Sequence, residues 1–435
     1  MSDTSGKPVT FSTGDGRTVT HGDVDGIRLL CETVPTSKSV SFGVWIIVGS
    51  RDEPESLSGL FHFLEHLVFK GTPGADARRI AVMIDALGGH IDAFTTREVT
   101  AYTGHVVAER LGVAFDLVAD LTLASTFPAD EIERERNVIL EEIRMVEDAP
   151  ADYAHDQLYP SLWGAGPLGR AITGAPATVA RIGRDDLIGA RDASYRAGRI
   201  VISASGAVDF DRLAALVAKR FGGLSGEGAP RVPSAAGSSG GRRVVKKPIE
   251  QVHLVAAVPA LSTTDPARHD LDILNTIFGG GVSSRLFQSV REERGLAYSV
   301  YSYYEEYVDA GFFAVYAACA PDRFRALLAA VDEERLRLVA DGPTDEEVAR
   351  AIRMECDNLK MSSESLSSRM YDLADDWIYH GRLIPLEESL ATLEGVTRES
   401  VRSLAARLLG DGPGTALAVG PVSKGDEDRL MNWGG

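Results

Sequence analysis

The feature that most constrains this 435-residue chain is a break near its middle. From Gly222 to Gly241 it reads GGLSGEGAPRVPSAAGSSGG, with no apolar periodicity. Gly, Ser and Pro at that density make a connector rather than a core element. Structureless loops of this length are uncommon inside a compact domain. The break therefore predicts two domains, 1–221 and 247–435, joined by a linker over 222–246. The halves also echo each other. Each opens with an apolar strand, Ser41–Val48 and Gln251–Val258, followed by a helical stretch, Leu57–Lys70 and Arg268–Phe278. Each later has a Pro-x-Asp-Glu helix start, at Pro128 and at Pro343. Each ends on a small-residue strand and a glycine, VISASGAV and ALAVGPV. This is the pattern of an internal duplication of an α+β unit.

Composition narrows the partners. The chain has 45 basic and 63 acidic residues, a net charge of −18. Phosphate contacts need a basic face, so nucleic acid is excluded as an expected partner. An anionic membrane surface is excluded for the same reason. The apolar run Val44–Val48 is too short to span a bilayer. Cys31, Cys319 and Cys356 are far apart with no CxxC spacing, which reads as reduced thiols. The opening MSDTSGKPVT has no apolar stretch of the kind a signal peptide needs. A cytoplasmic location is the expectation.

The chemistry concentrates in GLFHFLEHLVFKGT, Gly59–Thr72. On a helix His62 and His66 are one turn apart on one face, with Glu65 beside them. Phe61, Leu64, Leu67 and Val68 supply packing. Two neutral imidazoles and a carboxylate suit Zn²⁺ with a position left for water, and a nearby unligated carboxylate can take that water's proton. A third ligand is needed. The helix EIERERNVILEEIRMVED offers several glutamates, among which Glu135 and Glu142 lie two turns apart on one face. Val138, Ile139 and Ile143 mark its expected buried side. Spacing alone leaves Glu135, Glu141 and Glu142 open. Ser283 and Ser284 lack a GxSxG elbow and read as a helix N-cap, and Gly279–Gly281 reads as a turn.

HFLEHLVFKGT followed by ERERNVILEEI resembles the pitrilysin/insulinase zinc metallopeptidases, the inverzincins, and within them the mitochondrial-processing-peptidase-like branch. The resemblance runs from about Val40 to Val422. It implies two homologous domains, each a mostly antiparallel sheet packed with helices, forming a half-shell. It selects Glu142 as the third zinc ligand beside His62 and His66. Glu65 becomes the general base on a zinc-bound water, and Glu135 a glutamate that orients a ligand or water. GGHIDAFTTREVTAY resembles the family's substrate-binding edge strand, with Asp92, Ala93, Phe94 and Thr95 along the substrate. Asp92 departs from the usual Asn: an ionised Asp only accepts hydrogen bonds, whereas Asn also donates. VSSRLFQSVREERGLAYSVYSYY resembles the signature of the second half. Arg291 and Tyr298 match an Arg/Tyr pair that contacts substrate.

The resemblance implies a zinc endopeptidase of short or unfolded peptides, bound by β-augmentation. Two copies are expected to close a chamber as a homodimer. The alternatives are a non-catalytic scaffold of the same fold, or a catalytic subunit needing an unlike partner.

Overall fold

The computed structural model describes residues 8–13, 16–228, 231, 240–412 and 414–433. The chain forms two compact units, each α+β. The first takes in the described residues of Met1–Ile143, Ala171–Val232 and Met361–Pro385. The second takes in those of Arg144–Arg170, Pro233–Lys360 and Leu386–Gly435. The units follow the two halves of the sequence, except that each holds one segment from the opposite half.

The reason lies in the strands. In the large sheet of the first unit they are β1 (Val9–Ser12), β2 (Thr18–Val24), β3 (Ile27–Thr33), β4 (Ser39–Ile46), β5 (His90–Thr95), β6 (Thr100–Val107) and β7 (Ile200–Gly206). They pair in the order β1-β2-β3-β7-β4-β6-β5. Strand β7 is buried along its whole length, and β4 all but its first residue. Such strands need cover on both faces of the sheet. One face packs against α1 (Leu60–Val68), α2 (Ala77–Leu87), α3 (Leu111–Ala124) and the helix Phe210–Phe221, through Leu64, Ile80, Phe115 and Val217. The other is covered by the helix Leu366–Asp375, whose Met370, Leu373 and Ala374 pack on Leu30, Trp45, Ala101 and Val201. Polar contacts fix that helix: Arg369 pairs with the buried Glu32 at 3.1 Å, and Ser203 Oγ donates to the Met370 carbonyl.

The second sheet repeats the arrangement. Its strands are β8 (Gly241–Val245), β9 (Val252–Pro259), β10 (Ala297–Glu306), β11 (Gly311–Cys319) and β12 (Thr415–Val419), in the order β8-β12-β9-β11-β10. The pair β8/β12 is parallel and the other pairs are antiparallel. In the first sheet β3/β7 is likewise parallel, and β7/β4, β4/β6 and β6/β5 are antiparallel. The duplication read from sequence is thus a duplication of topology, and β10 is the counterpart of β5. The helices Arg268–Phe278, Phe324–Asp341, Asp345–Ser362 and Arg398–Leu409 cover one face of this sheet. On its other face lies α5 (Pro150–Trp163), with Ala154, Leu158 and Leu162 against Val255, Phe312 and Leu417.

The linker expectation over 222–246 needs correction at both ends. Gly241–Val245 is a strand, because a parallel edge ladder uses backbone groups that glycine also has, and Val244 and Val245 suit it. Before it, Leu224 packs on the first core and the Gly226 carbonyl accepts from Gly198 N–H at 3.0 Å. Residues 229, 230 and 232–239 of that expected linker lie outside the described residues. The three cysteines are buried and free. Among the described residues no single helix is long and apolar enough to cross a membrane.

Candidate active site

The local sequence explains why α1 starts where it does. Its N-cap, Gly59, has φ +96°, and a Cβ there would stand 2.7 Å from the Thr173 carbonyl oxygen, so only glycine fits. The first helical N–H groups have no partner within the helix. Glu53, buried in the preceding loop, supplies one: Oε2 accepts from Gly59 N–H and Oε1 from Phe61 N–H, both at 2.8 Å. Leu60, Phe61, Phe63, Leu64, Leu67 and Val68 are buried around the helix, leaving one polar face.

Facing it is α4 (Ala129–Asp148). Its buried stripe is Ile132, Glu135, Ile139 and Ile143, at helical spacing. Val138, expected on that side, is 48 % exposed, since it falls one residue off the stripe. Arg136 joins the two helices, with its guanidinium 5.3 Å from the Phe63 ring centroid. Direction separates the adjacent pair: Glu141 is exposed, and Glu142 turns toward α1.

The result is a convergence of three side chains. Glu142 Oε2 lies 3.6 Å from His62 Nε2 and 3.6 Å from His66 Nε2. One ligand atom from each of the three lies within 4.8 Å of the others. Zinc bonds of about 2.05 Å at tetrahedral angles put neighbouring donors roughly 3.4 Å apart, so a small adjustment brings all three onto one ion. Two imidazole nitrogens and one carboxylate oxygen form a donor set that suits zinc. Burial, and then the neighbouring His66, push the His62 pKa down to about 3. That imidazole is neutral and keeps its lone pair at physiological pH. Its Nδ1 is buried and has no hydrogen-bond partner among the described residues.

Glu65 and Glu135 flank the cluster differently. Burial pushes the Glu65 carboxyl up to about 7, Thr95 pulls against this through hydrogen bonds, and the charges of Glu142 and Asp92 add to it. Glu135 is 6 % exposed, and its Oε2 lies 3.2 Å from His66 Nδ1. The strand β5 is the outer edge of the first sheet. Thr95 ties it to α1, donating through Oγ1 to the Phe61 carbonyl at 3.4 Å. Asp92 turns its carboxylate onto its own strand, accepting from Ala93 N–H at 2.9 Å. Phe94 packs edge-on against Trp45.

In the second unit, Arg291 and Tyr298 do meet. The Arg291 guanidinium sits 4.2 Å from the Tyr298 ring centroid and donates to the Tyr298 carbonyl at 3.0 Å. Arg291 lies in a π-helical segment, Phe287–Glu293, and Tyr298 is the extra residue of a bulge in β10. Both irregularities re-aim side chains. They leave Tyr298 75 % exposed, beside an open pocket of about 420 Å³. Ser284 Oγ accepts from Phe287 N–H at 3.4 Å, as an N-cap does. Two residues went unassigned in the sequence. Glu53 could have been suspected as an acid shortly before a helix. Lys70 stood inside the quoted motif with no role.

Comparison with known proteins fixes the lineage. The family profile described as Insulinase (Peptidase family M16) matches residues 28–176. The profile described as Peptidase M16 inactive domain matches residues 181–355. A Streptomyces coelicolor protein is 36 % identical over 93 % of this chain and 90 % of its own. A Bacillus subtilis protein is 37 % identical over 90 % of this chain and 96 % of its own. Both are named uncharacterized zinc proteases. The chain belongs to the insulinase (M16) peptidase family. The M16 fold recurs in a Pseudomonas fluorescens structure described as a peptidase M16 inactive domain, with TM-score 0.86 and 22 % identity over 96 % of this chain and 98 % of that one. It recurs in a Helicobacter pylori protease, with TM-score 0.85 and 20 % identity over 95 % of this chain and 99 % of that one. In this M16 chain the HxxEH sequence falls within the first profile match, and the second match has none.

Proposed function

We propose that this protein is a zinc-dependent endopeptidase of short or unfolded peptides. The observation that carries this reading is the convergence of His62, His66 and Glu142 with Glu65 on the same helix as both histidines. Zinc, when held by those three side chains, supplies the positive charge that acidifies an attacking water and polarises a peptide carbonyl. The chain's own groups do the rest. Burial keeps His62 neutral and able to ligate. Glu65, not needed as a ligand, takes the water's proton and returns it to the leaving amine. Burial raises its carboxyl's proton affinity before metal enters, which favours a group that both takes and returns a proton. Glu135 accepts from His66 Nδ1–H and so presents Nε2 to the ion.

A peptide adds along the free edge of β5 beside Ala93, Phe94 and Thr95, by main-chain pairing that asks little of its sequence. Stably folded proteins mostly blunt or cover such edges and offer them less readily than an unfolded segment does. Arg291 and Tyr298 stabilise the developing oxyanion, and two copies of the chain bring that pair to each other's zinc sites. The chain carries both the zinc motif and the Arg/Tyr pair, so a homodimer needs no unlike partner.

A second reading, a non-catalytic scaffold, draws on the match of residues 181–355 to a profile described as inactive. The intact donor set in the first half argues against it. The deciding experiment measures zinc content and cleavage of a quenched peptide with a chelator control. Glu65→Gln is expected to keep one zinc per chain and lose about 10²–10⁴-fold in turnover. Glu142→Gln, His62→Ala and His66→Ala are expected to lose the zinc. Wild-type turnover by Glu65→Gln, or wild-type peptide cleavage that survives complete removal of the metal, overturns the reading.

A further inference from the structure

We propose that Lys70 is a positioning residue for the metal site, acting on His66 through Glu135. This rests on the zinc reading above. Lys70 follows α1 directly, and its Nζ lies 2.7 Å from Glu135 Oε1. The other oxygen of the same carboxylate lies 3.2 Å from His66 Nδ1. Glu135 is thus a buried carboxylate shared between an ammonium and an imidazole, with one oxygen for each.

The backbone around Lys70 is fixed to the helix that carries Glu135. Lys70 N–H donates to the Leu67 carbonyl at 3.1 Å, closing the turn after α1. The Gly71 carbonyl accepts from Thr126 N–H at 3.0 Å. A Cβ on Gly71 would stand 2.9 Å from Thr126 Oγ1 and 3.2 Å from Pro128 Cγ, so the turn lies close against the start of α4. The Lys70 stem therefore begins from a set position relative to Glu135, and only the rotamer entropy of its own side chain is lost in forming the pair.

The physical argument has two parts. A buried carboxylate without a counter-charge is costly, and it turns toward solvent if it can. Lys70 removes that incentive and leaves Oε2 aimed at His66. A carboxylate accepting from Nδ1–H selects the imidazole tautomer whose Nε2 lone pair is free for a metal. Charge alone predicts the opposite effect. Removing a cation near a dication site reduces repulsion and tightens binding. Positioning predicts looser binding, so the sign of the change decides between them.

The test is zinc affinity of the apoprotein, measured by competition with a chelator of known affinity, for the full chain. Lys70→Met is expected to weaken zinc binding about 10–100-fold, the loss typical for a group that supports a ligand. Lys70→Arg, which keeps the charge, is expected to restore most of that loss. Glu135→Gln combined with Lys70→Met is expected to bind zinc as Glu135→Gln alone does, because Lys70 acts only through that carboxylate. Circular dichroism and the apoprotein melting temperature check folding. Lys70→Gln is measured alongside and carries the same expectation if Lys70→Met does not fold. Equal or tighter zinc binding by the folded Lys70 variants overturns the inference, as do losses that multiply in the double variant. A wild type that binds no zinc overturns the zinc reading instead.

Discussion

Glu53 is the residue on which the active-site helix hangs, and Glu53→Ala measures how much. Its carboxylate accepts from the N–H groups of Gly59 and Phe61, at 2.8 Å each, from a site 4 % exposed. Alanine leaves both donors buried and without that partner, at about 1–1.5 kcal/mol each after water has relaxed around them. It also removes a negative charge from the positive end of a helix dipole, worth roughly 0.3–1 kcal/mol. The sum is about 3 kcal/mol. For a unit of this size 1 kcal/mol shifts the midpoint by about 2–4 °C, so the apoprotein is expected to melt roughly 6–12 °C lower. Glu53→Gln keeps one acceptor and loses the charge, and about half that shift is expected. Glu55→Ala, at an exposed position nearby, is the control, with a shift expected within about 2 °C. Calorimetry of the metal-free protein reads all three. Zinc affinity is expected to fall in the same order, because α1 carries both imidazoles. A Glu53→Ala midpoint within about 2 °C of wild type would refute the argument that these two bonds hold the helix start.

Two further outcomes follow from the titrating groups and from the Arg/Tyr pair. In the apoprotein the Glu65 carboxyl is raised from 4.5 to about 7, so its contribution to stability is complete below pH 4.5 and lost as pH rises through about 7. His62 is lowered from 6.5 to about 3, so its contribution is complete above pH 6.5 and lost as pH falls through about 3. The two offset each other between 4.5 and 6.5. Glu65→Gln leaves His62 uncompensated, and its stability relative to wild type is expected to rise by about 1 kcal/mol per pH unit across that window. Urea unfolding with chelator present checks this, and parallel profiles for the two proteins would contradict the assignments. For the Arg/Tyr pair, co-expressed Glu65→Gln and Arg291→Ala chains are expected to recover activity that neither variant has alone. No recovery despite proven subunit mixing would sink the trans arrangement.

Much of the site was legible because its chemistry is local. HxxEH places two imidazoles and a carboxylate on one turn of any helix that forms there, whatever surrounds it. The duplicated strand and helix pattern likewise carried through to two sheets that share one pairing order over five strands. The linker misread shows the limit of composition. Glycine-rich sequence lowers the tendency to pair, but it does not forbid an edge ladder when a neighbouring strand supplies the partner. Arg291 and Tyr298 could be named from a resemblance, yet their stacking depends on a π-helical segment and a bulge that no residue pattern announces.

By itself the sequence determined the doubled architecture and which helix face carries the histidines, since these follow from spacing along one chain. Only the tertiary structure showed that Glu135 and Glu142 turn to the histidines while Glu141 does not, because adjacent helical residues differ by about 100° and the packing of α4 sets the zero of that angle. It alone gave Glu53 and Lys70 their partners, Phe61 N–H and Glu135, since a buried charge is satisfied by whatever the fold brings within about 3 Å. It alone exchanged α5 and the helix Leu366–Asp375 between the two units, because each sheet is apolar on both faces and the nearer half of the chain covers only one.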